Sequence, residues 1–311
     1  QIDINQTSQR AILDWGGFNI GRGETVNFSQ PNSSAVALNR IHDANPSQID
    51  GALNANGQVW LVNSNGILFG SGARVSVGGL LATASDIDDS RFMSGDNVFD
   101  QPGNPFASIV NAGQITAADY GLVALAGPNV INSGTIRARL GKVQLASGDI
   151  FTLDLYGDGL INLQASDAIT SQIVSNNGAI AADGGHVLLK KAAARDVVDG
   201  LVNMDGFIQA DSIDGRTGNV SLESDGGTTL VSGTINARGQ NAGEKGGLVG
   251  MLAHYVGVVD DATVDASGSS GGGTVLVGGD AYGGNGVQTA TRTIVQSGAR
   301  LKANATDNGD G

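Results

Sequence analysis

The sequence predicts an all-β fold, a parallel β-solenoid in which short strands turn repeatedly around a common core. Glycine accounts for 49 of the 311 residues, and charged residues make up only 15% of the chain. The helix formers lysine and glutamate are scarce, whereas valine, isoleucine, threonine, asparagine and glycine are common. From residue 109 onward, two short phrases also alternate along the chain. Together these observations favour coils stacked on coils over a sheet with long connections.

The stretch QVWLVNSNGILFGSGARVSVGGL, residues 58–80, shows how often the chain turns. It contains three short apolar strands separated by asparagine and glycine, which suit positions that need positive φ or close backbone packing. The alternating positions predicted to point inward are Val59, Leu61, Ile67, Phe69, Val75 and Val77. Each strand is therefore predicted to be one side of a coil.

The repeat consists of an apolar pair, a polar turn and Ile-x-Ala, followed by Gly-x-Val-x-apolar. The seven equivalents of the Ile-x-Ala position lie 21 to 44 residues apart: Ile115, Ile136, Ile180, Ile208, Ile235, Val264 and Leu301. We interpret the longest interval as two coils, with residues 151–163 supplying an unmatched strand pair. About 24 residues per coil predicts roughly 12 or 13 coils and a rod of about 60 Å. A β-sandwich is the rival fold, but sandwich strands do not repeat a phrase.

Within the repeat, Val143, Leu145, Val187 and Leu189 are predicted to form inward apolar ladders. Variable segments between the two phrases, such as 211–219 and 238–246, are predicted to decorate one face. Residues 86–107 interrupt the repeat, so we expect an extra-helical loop or small hairpin there.

The charge and cysteine content restrict the possible functions. A formal net charge of −13 argues against nucleic-acid binding, which needs a basic patch, and predicts a soluble monomer. The absence of cysteine excludes thiol catalysis, disulfides and thiolate metal sites. No apolar run reaches 18 residues, so no membrane-spanning helix is predicted.

Three long runs resemble the N-terminal secretion domain of two-partner-secretion exoproteins, the filamentous-haemagglutinin-type haemagglutination domain of Gram-negative bacteria. They begin INQTSQRAILDWGGFNIGRG, GALNANGQVWLVNSNGILFG and LVALAGPNVINSGTIRARLG, within residues 4–41, 51–87 and 122–163. The resemblance is specific over about residues 2–190. It implies a right-handed parallel β-helix, exported through the periplasm to the cell surface or medium. A dedicated outer-membrane β-barrel transporter, whose POTRA domains bind the secretion domain, is the implied partner.

The resemblance also implies the domain organisation. Residues 1–190 correspond to the secretion domain, and residues 191–311 to further coils at the start of a passenger. The family's domain usually begins before the equivalent of Gln1, so part of the N-terminal cap is expected to be absent. The Ile-x-Ala equivalent at 301–303 has no Gly-x-Val after it, which predicts a C-terminal end within a repeat.

The candidate recognition motif is the turn Asn63, Ser64, Asn65 and Gly66 with the following Ile67. The family usually has Asn-Pro-Asn-Gly here, so the fixed φ of proline is lost. Asn65 and Gly66 are predicted to supply positive φ. Both a plain structural turn and a direct transporter contact are compatible with these residues. The Asn-Pro-Asn-Leu motif of one family branch is missing, which places the chain in the other branch.

No catalytic, metal or cofactor site is predicted. The histidines His42, His186 and His254 are far apart, and Gly268–Gly272 lacks the context of a nucleophile elbow. A single glycine-aspartate segment, 278–286, lacks the stacked copies of a calcium-binding repeat. The remaining alternative is a β-helical polysaccharide lyase or hydrolase, which needs clustered carboxylates. Its candidate residues are Asp86, Asp88, Asp89, Asp96, Asp154 and Asp158.

The function implied by the resemblance is secretion and folding nucleation for a large surface adhesin that serves attachment or biofilm formation. Residues 4–85 would be read by the transporter and would form the template on which later coils stack. The secretion domain of a cytolysin or growth-inhibition toxin is the alternative within the family, and haem acquisition is a further family role. A carbohydrate or cell-surface receptor would contact the loops 238–246 or 278–292.

Overall fold

The structure, a computed structural model, describes residues 1–155, 157–194, 200–284 and 286–311. Within these residues the chain winds into a right-handed parallel β-helix of three faces, as the sequence predicted. Face A is an 11-stranded parallel sheet with one strand from each coil, so the described chain forms eleven coils. Its strands are β1 (Ile2–Asn5), β3 (Thr25–Ser29), β6 (Ala52–Ala55), β9 (Arg74–Val77), β14 (Gln114–Ala117), β17 (Thr135–Arg137), β22 (Ala179–Ala181), β25 (Phe207–Gln209), β27 (Thr234–Asn236), β29 (Thr263–Asp265) and β32 (Arg300–Lys302).

Faces B and C join around one corner, because two long strands, β26 (Asn219–Val231) and β28 (Leu248–Val258), run through both. The other strands of face B are β2 (Arg10–Trp15), β4 (Val36–Ile41), β7 (Gln58–Asn63), β10 (Gly79–Thr83), β15 (Leu122–Gly127), β18 (Lys142–Ser147), β23 (His186–Lys191) and β30 (Thr274–Val277). The other strands of face C are β5 (Ser47–Ile49), β8 (Gly66–Phe69), β13 (Ser108–Asn111), β16 (Asn129–Asn132), β21 (Ile173–Asn176), β24 (Leu201–Met204) and β31 (Arg292–Val295).

The inward positions form the predicted apolar ladders. Val143 pairs with Val187, and Leu145 with Leu189, on successive coils of face B. All four side chains are at most 1% exposed. The six predicted inward residues of 58–80 are also buried, which confirms the register of the first coils.

Two columns of glycine explain the repeated phrases. A Cβ on Gly141 would lie 2.1 Å from the carbonyl oxygen of Gly121 on the preceding coil, and one on Gly178 would lie 2.2 Å from that of Gly134. Neither Gly141 nor Gly178 has a positive φ. The repeat therefore requires glycine at these corners because successive coils approach too closely for any side chain.

A buried ladder of asparagines continues the stack where face C ends. The Asn111 amide donates to Asn132 Oδ1 at 2.8 Å, and the Asn132 amide donates to Asn176 Oδ1 at 2.7 Å. All three side chains are fully buried. Each amide thus satisfies its neighbour in an interior where an unpaired polar group would be costly.

A lateral four-stranded antiparallel sheet lies outside the coils. One insertion supplies β11 (Asp86–Ile87), the helix α1 (Asp89–Ser94) and β12 (Val98–Gln101), and the other supplies β19 (Ile150–Asp154) and β20 (Gly159–Gln164). β12 pairs with β19, so the two insertions form one sheet. The expectation that 86–107 leaves the helix is confirmed, and α1 is a feature the sequence reading missed.

The coil count predicted from the sequence is wrong because a segment counted as a coil belongs to the lateral sheet. Ile136 pairs directly with Ile180, so the 44-residue interval contains one coil and not two. Residues 151–163 belong to the β19–β20 hairpin of the lateral sheet. Eleven coils at the usual strand spacing give a stack of about 50 Å. The described chain also contains a short 3₁₀ helix, Ala281–Gly283. No helix among the described residues combines the length and apolar character that a membrane span requires.

Candidate transporter-recognition site

The predicted recognition turn connects β7 on face B to β8 on face C of the third coil. Asn63 is fully buried, and its amide donates to the carbonyl oxygen of Asn45 at 3.1 Å and to Ser47 Oγ at 3.0 Å. Its Oδ1 accepts a hydrogen bond from the backbone N–H of Asn65 at 2.9 Å. Asn63 therefore fixes the turn from the inside and attaches it to the preceding coil.

The backbone of this turn differs from the prediction at one residue. Gly66 has a φ of 106°, as expected, but Asn65 does not adopt positive φ. The Asn65 amide instead donates to the carbonyl oxygen of Asp43 at 2.9 Å. A Cβ on Gly66 would lie 2.5 Å from the carbonyl oxygen of Ser108, so glycine is required by its neighbour as well as by φ. Asn65 is needed for a hydrogen bond to the second coil.

The two other motif residues face opposite directions. Ile67 is fully buried between neighbouring coils, paired with Ser47 and Ile109. Ser64 is the exposed member of the motif, and its carbonyl oxygen accepts a hydrogen bond from Asn104 N–H at 2.8 Å. Ser64 is thus the most accessible side chain of the motif, and the partly exposed Asn65 lies beside it.

A charged cluster lies beside the turn and attaches the lateral sheet to the second coil. The Arg40 guanidinium bonds Asp86 at 2.7 Å and Asp89 at 2.8 Å, and it donates to the carbonyl oxygen of Ile87 at 2.8 Å. Burial opposes the charge of Arg40, but the bonds to Asp86 and Asp89 outweigh it and raise the pKa. Asp86 and Asp89, the candidates for a catalytic role, therefore form ion pairs with Arg40, which remains charged.

The same cluster borders a shallow depression of about 290 Å³, which is lined by Arg40, Asp86, Ser64 and Asn65 among others. His42 lies on its rim and bonds Asp14 at 2.9 Å. The depression is polar and open, and it connects the recognition turn to the lateral sheet.

An aromatic cluster fastens the lateral sheet to face B. Trp60 on the third coil packs edge-on against Phe92 of α1, with ring centroids 5.5 Å apart. Phe99 and Phe151 stack at 4.7 Å, which joins the two insertions. All four rings are at most 1% exposed. The sequence analysis did not predict this second core. The available signal was the presence of phenylalanines in the two segments that interrupt the repeat.

The other residues considered for chemistry do not converge. His186 is exposed on face B, and His254 lies beside Tyr255 on a later coil. Asp88 caps α1 by accepting from the N–H groups of Ser90 and Arg91. Among the described residues, no three His, Asp or Glu side chains form a group that could hold a metal ion.

The remaining acidic candidates and the glycine-rich corner have structural roles. Asp154 accepts a hydrogen bond from Gly157 N–H at 2.8 Å within the β19–β20 hairpin. The carbonyl oxygen of Asp158 accepts from the Gln144 amide at 2.7 Å. Ser270, at the centre of Gly268–Gly272, donates to the carbonyl oxygen of Gly243 on the preceding coil at 2.8 Å. These residues hold turns and corners in place.

Comparison with known proteins gives consistent results. A family model described as "TPS secretion domain" matches residues 1–241. A heme/hemopexin-binding protein of Haemophilus influenzae strain Rd is 35% identical over 238 residues, which cover 72% of this chain and 25% of that protein. A second heme/hemopexin-binding protein of Haemophilus influenzae is 36% identical over 248 residues, which cover 72% of this chain and 26% of the relative. The chain thus spans about a quarter of the length of these curated relatives.

Among solved structures, the HMW1 secretion domain from Haemophilus influenzae superposes with a TM-score of 0.85 at 32% sequence identity. The superposition covers 96% of this chain and 77% of the other. The family match extends beyond residue 190, where we predicted the domain boundary, and that boundary stays a prediction. The chain belongs to the TPS (two-partner-secretion) secretion-domain family, whose members leave Gram-negative bacteria through the periplasm and a partner transporter in the outer membrane.

Proposed function

We propose that this chain is the export and folding-nucleation part of a surface adhesin, and that its first six coils are the nucleus. The observation that carries the proposal is the extent of the lateral sheet. It contacts face B from the first coil, through Arg10, to the sixth coil, through Ala146. The described coils after the sixth have no such second core.

The second core makes the early coils more stable than the later ones. Its buried residues on face B are Val36, Leu38, Trp60, Val62, Leu81, Ala124, Ala126 and Ala146. From the lateral sheet it adds Ile87, Phe92, Phe99, Phe151, Leu153 and Leu160. Burying each large apolar side chain contributes about 1.5–3 kcal/mol. Later coils gain only the contacts of stacking, so folding would proceed from the N-terminal nucleus toward the C-terminus.

The transporter would read the early part of this nucleus, residues 4–85. The exposed Ser64 and the polar depression beside it are the part of the recognition turn that a partner can reach. Asn63, Gly66 and Ile67 would act by holding that surface in shape. Asn65 would do both, because it bonds the second coil and lines the depression.

Two experiments on the whole chain test the proposal. Hydrogen exchange of residues 1–311 should show the slowest amides in coils 1–6, and uniform protection along the stack would contradict a nucleus there. Expression behind a signal peptide, with and without the partner transporter, should give transporter-dependent release. Equal release with and without the transporter would contradict the export role.

For adhesion, the loop 278–292 is the better candidate receptor site of the two predicted from the sequence. Tyr282 is fully exposed at its tip, and exposed aromatic rings suit contact with a sugar face. Loop 238–246 is instead bonded into the stack, since Arg238 pairs with Asp211 at 2.9 Å. Tyr282→Ala should reduce binding to host cells or glycans, whereas equal binding by both proteins would exclude this loop.

Capture of haem or haem-carrying protein is the second candidate, and the names of the two Haemophilus relatives favour it. The matched part is about a quarter of each relative, so that activity can reside outside the matched part. Titration of residues 1–311 with haemin and with hemopexin separates the two functions. Binding by this chain would support haem capture, and adhesion without such binding would support the adhesin.

A further inference from the structure

A polar cavity of about 450 Å³ lies on the outer surface of face B, beside the edge strand β20 of the lateral sheet. Lys142, His186 and Asn219 line it in one row, because they are register partners on coils six, seven and eight. Gly157 and Asp158, directly before β20, line it from the lateral sheet. Successive side chains of the row lie about 4.8 Å apart, so all three can contact one small ligand.

The hydrogen-bond donors of this row are largely free. The ammonium of Lys142 donates to the carbonyl oxygen of Gly157, which leaves two of its three N–H groups. The His186 ring and the Asn219 side-chain amide have no hydrogen-bond partner among the described residues. Arg216, on the loop that follows β25, contacts an aromatic ring and forms no ion pair with a described carboxylate. The cavity therefore presents several donors that the chain itself does not satisfy.

The surroundings of the cavity are cationic, although the chain carries a formal net charge of −13. Partial desolvation lowers the pKa of His186 most, and the charges of Lys142 and Arg216 lower it further. Asp158 acts in the opposite direction, and it is the only acid among the described residues that line the cavity. Two cations and a titratable ring thus surround a space with one carboxylate.

We propose that this cavity binds a small oxyanion, a carboxylate or phosphate group that is either free or carried on a sugar-sized molecule. An oxyanion can accept hydrogen bonds from Lys142, His186 and Asn219 together, and it balances the excess positive charge. A neutral ligand would leave that charge unbalanced, and a cation would be repelled. The volume lies within the range of small-molecule sites, about 300–1,000 Å³, so the ligand can be larger than the oxyanion itself. This site lies outside the surface proposed for the transporter, residues 4–85.

The imidazole of His186 should report on binding. A bound oxyanion favours the protonated ring, so it raises the pKa of His186. By linkage, the oxyanion binds more tightly as the pH falls through that pKa. The charged groups that act on this ring are Lys142, Asp158 and Arg216. Because the cavity is open to solvent and screened by salt, we expect a dissociation constant in the millimolar range.

NMR titration of residues 1–311 with sodium phosphate, sodium glucuronate or glucose, each up to about 50 mM at constant ionic strength, tests the proposal. The two oxyanions should shift the His186 resonances to saturation and raise its pKa, whereas glucose should not. Tighter binding of phosphate would indicate a free ion as the ligand, and tighter binding of glucuronate would indicate a carboxylate on a sugar. His42 and His254 provide internal controls, because neither lines the cavity.

Two variants locate the site. Lys142→Met should weaken oxyanion binding about tenfold or more, as loss of a hydrogen bond to a charged group generally does. Arg216→Gln, at an exposed position, should also weaken it. Lys302→Met is the matched control, because Lys302 is exposed on face A of the last coil and loses the same charge. Circular dichroism verifies that all three variants fold.

Three results would overturn the proposal. The first is the absence of a saturable shift of the His186 resonances with either oxyanion. The second is an equal shift of all three histidines, which would indicate a general effect of the added salt. The third is equal binding by the Lys142→Met and Lys302→Met proteins. None of these results bears on whether coils 1–6 nucleate folding.

Discussion

The guanidinium carbon of Arg10 lies 4.3 Å from the centre of the Phe92 ring, so the lateral sheet directly holds the first coil of the helix. Arg10 also lies 5.5 Å from the centre of the Trp60 ring on the third coil. One cation therefore connects the first coil, the third coil and α1 through aromatic faces, a contact that strengthens when it is shielded from water.

Phe92→Ala should remove this connection and open a cavity in the second core. We expect a loss of about 3–5 kcal/mol in the free energy of unfolding, as for other buried phenylalanines. Urea unfolding followed by tryptophan fluorescence measures it, since Trp60 lies in the cluster. The neighbouring Met93 is 53% exposed, so Met93→Ala is the control and should change stability by less than about 0.5 kcal/mol. Equal effects of the two changes would contradict a second core around Phe92.

Gly141→Ala should destabilise the stack although Gly141 has ordinary φ. The new methyl group would meet the carbonyl oxygen of Gly121, and such overpacking costs about 1–3 kcal/mol. Gly16→Ala is the control, because a Cβ at Gly16 meets no atom within 4 Å. Thermal unfolding of both variants provides the measurement. A Gly141→Ala protein as stable as the parent would show that the coils can separate to admit a side chain.

Two substitutions in the recognition turn separate its structural role from contact with the transporter. Asn63→Ala removes hydrogen bonds from a buried turn, and each buried group left unpaired costs about 1–3 kcal/mol. Ser64→Arg changes only an exposed side chain and should leave the melting temperature unchanged. If Ser64 contacts the transporter, Ser64→Arg will reduce secretion at full stability. Normal secretion of Ser64→Arg would mean that the turn has a purely structural role.

Val187→Asp should destabilise the helix by several kcal/mol, because it buries an unpaired charge in an inward ladder. Thr116→Asp, on the outer surface of face A, adds the same charge without burying it. Differential scanning calorimetry compares the two proteins. A Val187→Asp protein that melts with the parent would refute the inward register of β23.

His186 should titrate below its usual range. Partial desolvation by the surrounding side chains lowers the pKa of His186 most, although the ring reaches solvent, and the nearby charge of Lys142 lowers it further. The folded protein therefore binds less of this proton than the unfolded chain, and the contribution of His186 to stability decreases as the pH falls from 6.5 through the lowered pKa. NMR titration of the imidazole resonances should show that pKa rising toward 6.5 in Lys142→Met. An unchanged titration would exclude Lys142 as a cause.

The repeat allowed the β-helix to be predicted because its physical causes are local. Alternation places Val143 and Leu145 inside, and close coil spacing requires glycine at positions such as Gly141. The number of coils was wrong because the sequence of 151–163 alternates like a coil strand. The pairing of Ile136 with Ile180 and the antiparallel pairing of β19 with β20 show that this segment lies outside the stack.

The candidate site was only partly predictable, because its contacts join segments that are distant in the sequence. The motif Asn63–Ile67 is visible in the sequence, but the exposure of Ser64 and burial of Asn63 follow from contacts with other coils. Arg10, Arg40 and Phe92 carry no local signal, because their partners Asn97, Asp86 and Trp60 lie 32 to 87 residues away. The outer surface of face C combines residues from successive coils, so no single segment of the sequence shows it.

The lateral sheet joins two insertions that are distant in the sequence, so it can close only after both have been delivered. β12 is complete at residue 101, but its partner β19 begins only at residue 150. Until that point Phe99 lacks the ring of Phe151, and the first insertion has no outer strand to close it. Once β19 pairs with β12, the two insertions together hold the first six coils, and several contacts must break together to release them. In the proposed export of this chain, the closed sheet would oppose the unfolding of single coils.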